Sequence, residues 1–423
     1  MVHTYLPRIA DRLLAAKLRY MGAVYIAGPK WCGKTSTAEQ QSKSTLYMQD
    51  PDTLSKYLQM ADTKPSLLLA GEKPRLLDEW QVAPVLWDAV RFAVDKSSGD
   101  PGQYILTGSA TVKDGTTMHT GTGRITRMTM RPMTLFESNE SSGQVSLKEL
   151  FDGASDIEGI SNLTIEQTAY VIARGGWPKA VGTTEAPLAL SYAHEYIDAI
   201  INIDISKIDG VQRDPVRVRS LMRSLARNIS TQANFSTLRA DMRAEEEALS
   251  VETISSYLTA LSKLYVIEDL QAWNPSVRSK TAVRTSPTHH FTDPSIAAAV
   301  LHLNPNGLLK DFNTFGLLFE SLCVRDLRVY ADAIDGDVFH YRDKTGLEAD
   351  AVVQLRDGRW GAVEVKMGAK AAEEGIKNLL KLKETINTEK MNEPSFLMLL
   401  TASNYAYRSK EGVYVVPIGC LKD

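Results

Sequence analysis

The chain of 423 residues has few cysteines, no excess of either charge and no long apolar run. Its three cysteines, Cys32, Cys323 and Cys420, are odd in number and far apart, which excludes a disulfide framework and a CxxC zinc ribbon. The seven histidines lack zinc-ligand spacing, because His194-Glu195 has no second histidine four residues after the first. With 48 Lys and Arg against 51 Asp and Glu, bulk attraction to nucleic acid is excluded as well.

Charged residues interrupt the apolar segments throughout the chain. No segment approaches the length of a membrane span. The first thirty residues carry several charges that break up any signal-peptide core, namely Arg8, Asp11, Arg12, Lys17 and Arg19. Together with the sparse cysteines, this pattern predicts a cytoplasmic protein with no membrane partner.

Short apolar segments alternate with helical patterns in the first third of the chain. Residues 23–27 are typical of a buried strand and residues 34–41 of a helix, and later apolar segments end in small polar or acidic residues. Such alternation predicts an α/β fold with a mostly parallel sheet, whose ligand binds at the carboxyl ends of the strands.

The most specific motif is Gly-x-x-x-x-Gly-Lys-Thr, which lies between the first predicted strand and the helix after it. Glycine lets backbone N–H groups approach phosphate oxygens closely, and a helix N terminus favours anions. We therefore expect this loop to bind ATP, with Lys34 facing the β- and γ-phosphates and Thr35 as a Mg²⁺ ligand. The predicted phosphate cradle consists of Gly28, Pro29, Lys30, Trp31, Cys32, Gly33, Lys34 and Thr35.

Polar residues that follow the later strands are candidates for the hydrolytic step. Asp78 is predicted to hold the Mg²⁺ shell and Glu79 to polarise the attacking water. Ser109 is predicted to sense the γ-phosphate, although a turn serine gives the same pattern. Arg124 is either an arginine finger acting across a subunit interface or a solvated side chain, so a homo-oligomer or a protein partner stays open. The chain lacks an Asn-Lys-x-Asp motif, which favours ATP over GTP.

A basic face is predicted on the helix at 215–229, where Arg219, Arg223 and Arg227 recur every four residues. With the predicted helix that follows, this pattern is typical of a helix-turn-helix that docks on the phosphate backbone of DNA. The alternative is a winged helix used only for domain packing, with its arginines paired to the acidic residues at 245–247.

Three carboxylates and one lysine are predicted to converge near the end of the chain. Glu320 lies on a predicted helix and Asp350 on a predicted strand, while Glu364 and Lys366, two apart on the next strand, share one face. The Asp357-Gly358 pair between the two strands indicates a hairpin turn. Such a group can bind Mg²⁺ and activate water against a phosphodiester.

The motifs GPKWCGKT, LLDEWQ, ILTGS and RGGWP together resemble AAA-type ATPases of bacteria and archaea that carry a C-terminal domain of unknown function. The later part is similar to the winged-helix and nuclease-like arrangement of the archaeal ATPase group. Asp350, Glu364 and Lys366 resemble the PD-(D/E)xK nuclease motif, with Glu320 as the helical acid. Ala349 precedes Asp350, so the proline of that motif is missing.

The resemblance implies an α/β fold with four parts. These are a P-loop AAA-type ATPase core at 1–136, a helical lid at 137–205, a winged helix at 206–300 and a restriction-endonuclease-like domain at 301–423. The predicted function is ATP hydrolysis coupled to a DNA-directed module, and whether that module is a Mg²⁺-dependent nuclease stays open. The alternative is a nucleotide-switched interaction protein whose last domain binds a partner without cutting DNA. Only the nuclease hypothesis requires the set Glu320, Asp350, Glu364 and Lys366.

Overall fold

The computed structural model describes residues 5–109, 120–243, 250–275, 286–386 and 391–423. The chain divides into two compact units. Unit 1 comprises Met1–Pro132, Asp204–Gln212 and Ala260–Tyr265. Unit 2 comprises Met133–Ile203, Arg213–Thr259 and Val266–Asp423. The finer division into four domains stays a prediction.

Strands and helices alternate in the first part of unit 1, as the sequence predicts. The elements are α1 (Ile9–Leu18), β1 (Ala23–Ala27), α2 (Lys34–Glu39), β2 (Ser44–Tyr47), α3 (Leu54–Thr63), β3 (Arg75–Asp78), α4 (Val85–Lys96), β4 (Tyr104–Gly108) and β5 (Ile125–Thr129). They form a sheet in the order β2-β3-β4-β1-β5, in which every pair is parallel. The predicted parallel α/β sheet is therefore confirmed.

The interior strand β1 is buried in this sheet, and the strands beside it end at the same level. All five residues of β1 are buried, as expected for a parallel strand covered on both faces. On α4, Leu86, Val90 and Val94 recur every four residues and are fully or almost fully buried. This stripe packs with the sheet in one hydrophobic core. The register places Gly108 of β4 opposite Ala27 of β1, so both strands end at the same level.

From Met133 onward the chain is richer in helices. Its elements are β6 (Val145–Ser146), α5 (Leu147–Phe151), β7 (Gly159–Ile160), α6 (Ile165–Arg174), α7 (Pro178–Val181), α8 (Ala186–Ala199), a π-helical turn (Ile200–Asp204), α9 (Ile205–Lys207, in unit 1), α10 (Pro215–Arg227), α11 (Phe235–Arg243), α12 (Val251–Lys263), α13 (Pro294–Val300), α14 (Pro305–Leu308), α15 (Phe312–Ala333), β8 (Gly336–Arg342), β9 (Glu348–Leu355), β10 (Trp360–Lys366), α16 (Ala369–Thr385), β11 (Phe396–Thr401), β12 (Tyr405–Arg408), β13 (Tyr414–Pro417) and β14 (Leu421–Lys422). Among the described residues, no helix is long and apolar enough to cross a bilayer.

Unit 2 contains a mixed sheet in the order β7-β12-β13-β11-β10-β9-β8. The strand β10 pairs antiparallel with β9 and parallel with β11, so it lies inside the sheet. The predicted turn between β9 and β10 is confirmed, with Gly358 at φ 89° in the left-handed region. The segment predicted as a helical lid also supplies β6 and β7, which pair with β14 and β12. Strands of two residues have no periodicity, so the sequence gives no sign of them.

Candidate functional site

The loop between β1 and α2 has the backbone that a phosphate cradle needs. Gly33, the residue before α2, lies at φ 100°, where a side chain would strain the backbone. Gly28 lies at φ 152°, and a Cβ atom there would meet the Met130 carbonyl oxygen at 2.1 Å. Both motif glycines are therefore required by the geometry. The N terminus of α2 begins directly at Lys34, as the sequence predicts.

Two lysines of the cradle are held by oxygen atoms. Lys34 is 6% exposed, and its Nζ donates to the carbonyl oxygens of Gly28 and Pro29 at 3.0 and 2.7 Å. The Nζ of Lys30 lies 2.6 Å from Asp204 Oδ1. Trp31 is 45% exposed at φ 66°. Cys32 is fully buried, and its Sγ lies 3.5 Å from the Met130 carbonyl oxygen. Its side chain therefore points away from the phosphate cradle, and only its backbone can contribute to the cradle.

Arg8, which precedes α1, stabilises the cradle through two hydrogen bonds to backbone carbonyl oxygens. Arg8 donates through Nη1 to the Cys32 carbonyl oxygen and through Nη2 to the Arg131 carbonyl oxygen, both at 2.8 Å. Its side chain thereby ties the loop to the chain just after β5. Sequence reasoning missed this role of Arg8.

Asp78 at the end of β3 lies beside the first turn of α2. Its Oδ1 accepts hydrogen bonds from Thr35 Oγ1 and Thr107 Oγ1, both at 2.7 Å. The structure thus brings together Thr35 and Asp78, the two predicted Mg²⁺ ligands of this unit. Hydroxyl and carboxylate oxygens are ligands that suit Mg²⁺. Thr107 was missed, although a threonine in the otherwise apolar and fully buried β4 is a signal that could have revealed it.

Glu79 follows Asp78 in the left-handed region, at φ 54°. Ser109 Oγ donates to its Oε2 at 3.3 Å, and Gln81 Nε2 donates to the same oxygen. The predicted base and the predicted sensor are therefore in contact, and Gln81 is an additional partner that sequence reasoning did not single out. A non-glycine residue with positive φ at a sheet edge is typical of functional sites.

Arg124 lies away from these residues. It precedes β5, and its carbonyl oxygen accepts from the Ala23 N–H at the start of β1. Because β1 and β5 are parallel, Arg124 is at the amino edge of the sheet, whereas the cradle follows the carboxyl edge. Its Nε donates to Asp95 Oδ1 at 2.6 Å. Arg124 therefore does not join the site within unit 1, and its action across a subunit interface stays a prediction.

The predicted basic face is present on α10. Arg219, Arg223 and Arg227 are exposed on this helix, while Val218, Leu221, Met222 and Leu225 are among its buried residues. Arg219 Nη2 lies 2.7 Å from Asp198 Oδ1 in an exposed ion pair. The acidic residues at 245–247, which the alternative hypothesis pairs with the arginines, lie outside the described residues.

In unit 2 the predicted acids and lysine converge. Lys366 Nζ lies 2.9 Å from Glu364 Oε1 and 3.6 Å from Asp350 Oδ2. The Val365 N–H also donates to Asp350 Oδ2, at 2.7 Å. Glu364 Oε2 is buried without a hydrogen-bond partner among the described residues. Within the described ranges, no group of three or more His, Cys, Asp or Glu is arranged to hold a metal ion. The ammonium of Lys366 bridges two of the carboxylates instead.

Burial shapes the protonation of this cluster. Burial and the nearby Asp350 raise the pKa of Glu364 to about 7, against the opposing effect of Lys366. Burial and Asp350 also raise the pKa of Glu320 well above its usual range, and burial raises the pKa of Asp350. Burial alone would lower the pKa of Lys366, but Asp350 and Glu364 raise it, so the lysine stays a cation.

Replacing Glu364 with Gln should stabilise the protein at alkaline pH. From its usual pKa of 4.5 up to about 7, the folded protein holds a proton on Glu364 that the unfolded chain has lost. Wild-type stability from this group therefore falls as pH rises through that range. We expect Glu364→Gln to gain up to about 3 kcal/mol over wild type at pH 8 and little at pH 4.5. Calorimetric melts in EDTA measure this difference.

The exposed Glu373→Gln change on α16 is the matched control and should show no such pH dependence. A Glu364→Gln protein that is less stable than wild type at both pH values would contradict the expectation. Adding Mg²⁺ at pH 8 tests metal binding separately, because a metal site should stabilise wild type and not the variant.

Three family models match successive parts of the chain. Residues 21–139 match AAA_14, an AAA domain, while residues 165–307 and 315–421 match DUF8612 and DUF4143, both described as domains of unknown function. The first match supports an α/β AAA-type P-loop core, which confirms that part of the fold prediction. The winged-helix, nuclease and DNA-binding predictions gain no support from these models. A search of curated protein sequences found no significant match.

Several solved structures have a weak likeness to this chain. The Walker-type ATPase PABY2304 of Pyrococcus abyssi is 15% identical, with 72% of this chain and 100% of that chain covered and a TM-score of 0.41. A point variant of Thermotoga maritima RuvB is 16% identical, with coverages of 62% and 86% and a TM-score of 0.24. Drosophila ORC bound to DNA is 12% identical, with coverages of 70% and 85% and a TM-score of 0.18. These TM-scores are too low to support an argument. The AAA-type core is supported by its family model and by the loop geometry instead.

Proposed function

We propose that unit 1 binds ATP in the cradle of residues 28–35 and hydrolyses it to ADP and phosphate. One observation carries this proposal, namely the 2.7 Å hydrogen bond from Thr35 Oγ1 to Asp78 Oδ1. It joins the last residue of the loop motif to the acid that ends β3. The loop supplies the phosphate site, and the sheet edge supplies the acid that hydrolysis needs.

The residues of the cradle have separate tasks in this proposal. Backbone N–H groups of the loop and the N terminus of α2 donate to phosphate oxygens. Lys34 leaves the carbonyl oxygens of Gly28 and Pro29 and pairs with the more negative phosphates. Arg8 keeps the loop in shape by holding the Cys32 carbonyl oxygen. Thr35 and Asp78 would hold Mg²⁺, which neutralises charge on the phosphate oxygens when it is bound.

Glu79 is the proposed base for water. Its carboxylate accepts a proton as the water oxygen forms a bond to the γ-phosphorus and the bond to the β–γ bridging oxygen breaks. Ser109 and Gln81 both donate to Glu79 Oε2 and so fix its orientation at the sheet edge. Turnover of ATP by the purified full chain, compared in Mg²⁺ and in EDTA, tests the proposal. No turnover and no ATP binding in Mg²⁺ would reject it.

Duplex DNA binding by α10 is a second candidate function. The observation that favours it is the exposure of Arg219, Arg223 and Arg227 at four-residue spacing on one helix. Such a row can contact successive phosphates, since contacts to the DNA backbone come mostly from arginine and lysine side chains. Its strength should depend on salt, because phosphate contacts release counterions.

Replacing the three arginines with Gln should weaken duplex binding and flatten its salt dependence. Each lost phosphate contact should reduce the slope of log K against log salt by about 0.9. Electrophoretic mobility shifts over a salt series measure this slope. A matched control replaces Arg356, Arg342 and Arg408, which are exposed residues of unit 2 outside α10. Wild-type protein without duplex affinity at low salt would leave α10 with a structural role only.

For residues 301–423 the alternative to a nuclease is a module that binds a partner without cutting DNA. Lys366 bridges Glu364 and Asp350, and the described acids do not form a metal-holding group. The cluster therefore does not fit Mg²⁺ in this arrangement, and we derive no cleavage step from it. DNA cleavage stays a prediction, and plasmid nicking by wild type but not by Asp350→Ala would revive it.

A further inference from the structure

The phosphate cradle contains a second lysine that is already bound to an acid. Lys30 Nζ lies 2.6 Å from Asp204 Oδ1, and both residues belong to unit 1. The Lys30 side chain is 43% exposed, whereas the Asp204 side chain is 7% exposed. One partner is therefore free to move into solvent, while the other is held by its surroundings.

Asp204 is only half satisfied by this contact. Its Oδ2 is buried and has no hydrogen-bond partner among the described residues. A buried carboxylate normally needs partners for both oxygens, because its desolvation is expensive. The Asp204 carboxylate is thus held by one exposed lysine, and another anion can compete for that lysine.

The place of Asp204 in the chain links this contact to the rest of the protein. It ends the π-helical turn Ile200–Asp204, which continues directly from α8 of unit 2. At Asp204 the chain passes from unit 2 into unit 1. Turns of π-helix are rare and occur frequently at functional sites.

We propose that the Lys30–Asp204 pair is a latch that reports the nucleotide state of the cradle. Nucleotide phosphates compete with Asp204 for Lys30, so binding releases Asp204 and loosens the π-helical turn that leads to α8. This inference rests on the proposed function, since it requires ATP in the cradle. Linkage then demands the reverse effect: weakening the latch must strengthen nucleotide binding.

A double-mutant cycle on the full chain tests the latch. ATP affinity in Mg²⁺ is measured by calorimetry for wild type, Asp204→Asn, Lys30→Gln and the double variant. The latch predicts that Asp204→Asn tightens ATP binding about tenfold when Lys30 is present. In the Lys30→Gln background the same change should alter affinity less than about twofold, because the lysine that it releases is gone.

Other outcomes have distinct meanings. Equal tightening in both backgrounds would overturn the latch, because Asp204 would then act only through its negative charge. Weaker binding by Asp204→Asn would also overturn it and would assign Asp204 to structural support. Failure of wild type to bind ATP would reject the proposed function itself. Asp152→Asn is the matched control, since it makes the same charge change at an exposed acid that pairs with Lys148 and Arg359.

Hydrogen exchange provides a readout that affinity alone does not. ATP should increase amide exchange in the peptide covering residues 200–212 of wild type. In Lys30→Gln, exchange of this peptide should be high before ATP is added, whether or not the Asp204→Asn variant folds. Unchanged or slower exchange in wild type on ATP addition would overturn the latch.

Discussion

Replacing Lys34 with Ala should lower ATP turnover by a factor on the order of 10² or more, since it removes the cation nearest to the phosphate cradle. The buried ammonium now lies on two loop carbonyl oxygens, at 2.7 and 3.0 Å, within the same loop that would hold the phosphates. Replacing Glu79 with Gln should lower turnover by a similar factor, but with ATP affinity nearly unchanged, because the amide keeps the shape and loses the proton-accepting charge.

The two changes separate binding from chemistry. Lys34→Ala should weaken ATP binding, whereas Glu79→Gln should trap bound ATP in single-turnover measurements. Lys64→Ala and Glu72→Gln are matched controls, as both residues are exposed in unit 1. Wild-type turnover in both active-site variants would refute the assignment. A loss that appears equally in the controls would point to impaired folding.

The phosphate cradle could be predicted because its geometry is local. The two glycines with positive φ, the lysine and the threonine lie within eight residues, so the sequence pattern alone reveals the loop. That Asp78, Glu79 and Ser109 lie near one another could be predicted, because parallel strands end at one edge of a sheet. The contacts among these residues could not be predicted, because they depend on the strand order β2-β3-β4-β1-β5. That order places β4 between β1 and β3, and so brings Thr107 to Asp78.

Contacts between residues from distant parts of the chain could not be predicted from the sequence. Arg8 and Asp204 contact the cradle although both lie outside its sequence motif, and no spacing rule connects them to it. The alternation of β10 correctly placed Glu364 and Lys366 on one face. It could not show that the flexible lysine would bridge the acids, because side-chain position depends on the packing around it.

The RGGWP motif was recognised only as part of the family resemblance, and the structure shows what it does in unit 2. The Gly176 N–H donates to Asp293 Oδ2 at 3.0 Å, and Trp177 Nε1 donates to Ser295 Oγ at 3.0 Å. A Cβ atom on Gly176 would meet the Met133 carbonyl oxygen at 2.1 Å, so no other residue fits. The motif therefore docks this loop on the N terminus of α13.

A buried ion network completes this junction. Arg325 Nη1 donates to Asp293 Oδ2 at 2.8 Å, and its Nε donates to Asp326 Oδ1 at 2.9 Å. Asp326 Oδ2 accepts from the Leu135 N–H at 2.9 Å. The side chains of Arg325, Asp293 and Asp326 are at most 2% exposed. One guanidinium thus balances two buried carboxylates that also hold the backbone of two loops.

Arg325→Met should therefore be among the most destabilising single changes in unit 2, by about 3–5 kcal/mol, because it leaves two buried carboxylates without a cation. Burial already raises the pKa of Asp326 to about 6 while Arg325 opposes the rise, so removing the arginine should raise that pKa further. The variant then takes up protons on folding, and its deficit relative to wild type should shrink as pH falls from 8 to 5. Amide exchange in peptides covering residues 133–138 and 174–178 measures the loss where it arises.

Two further variants show whether charge is the cause of this deficit. Arg356→Met, at a side chain that is 77% exposed, should change stability by less than about 1 kcal/mol. Adding Asp326→Asn to Arg325→Met should recover part of the stability, since it removes one unbalanced charge. A deficit that is independent of pH and unaffected by the second change would show that Arg325 stabilises unit 2 by packing alone.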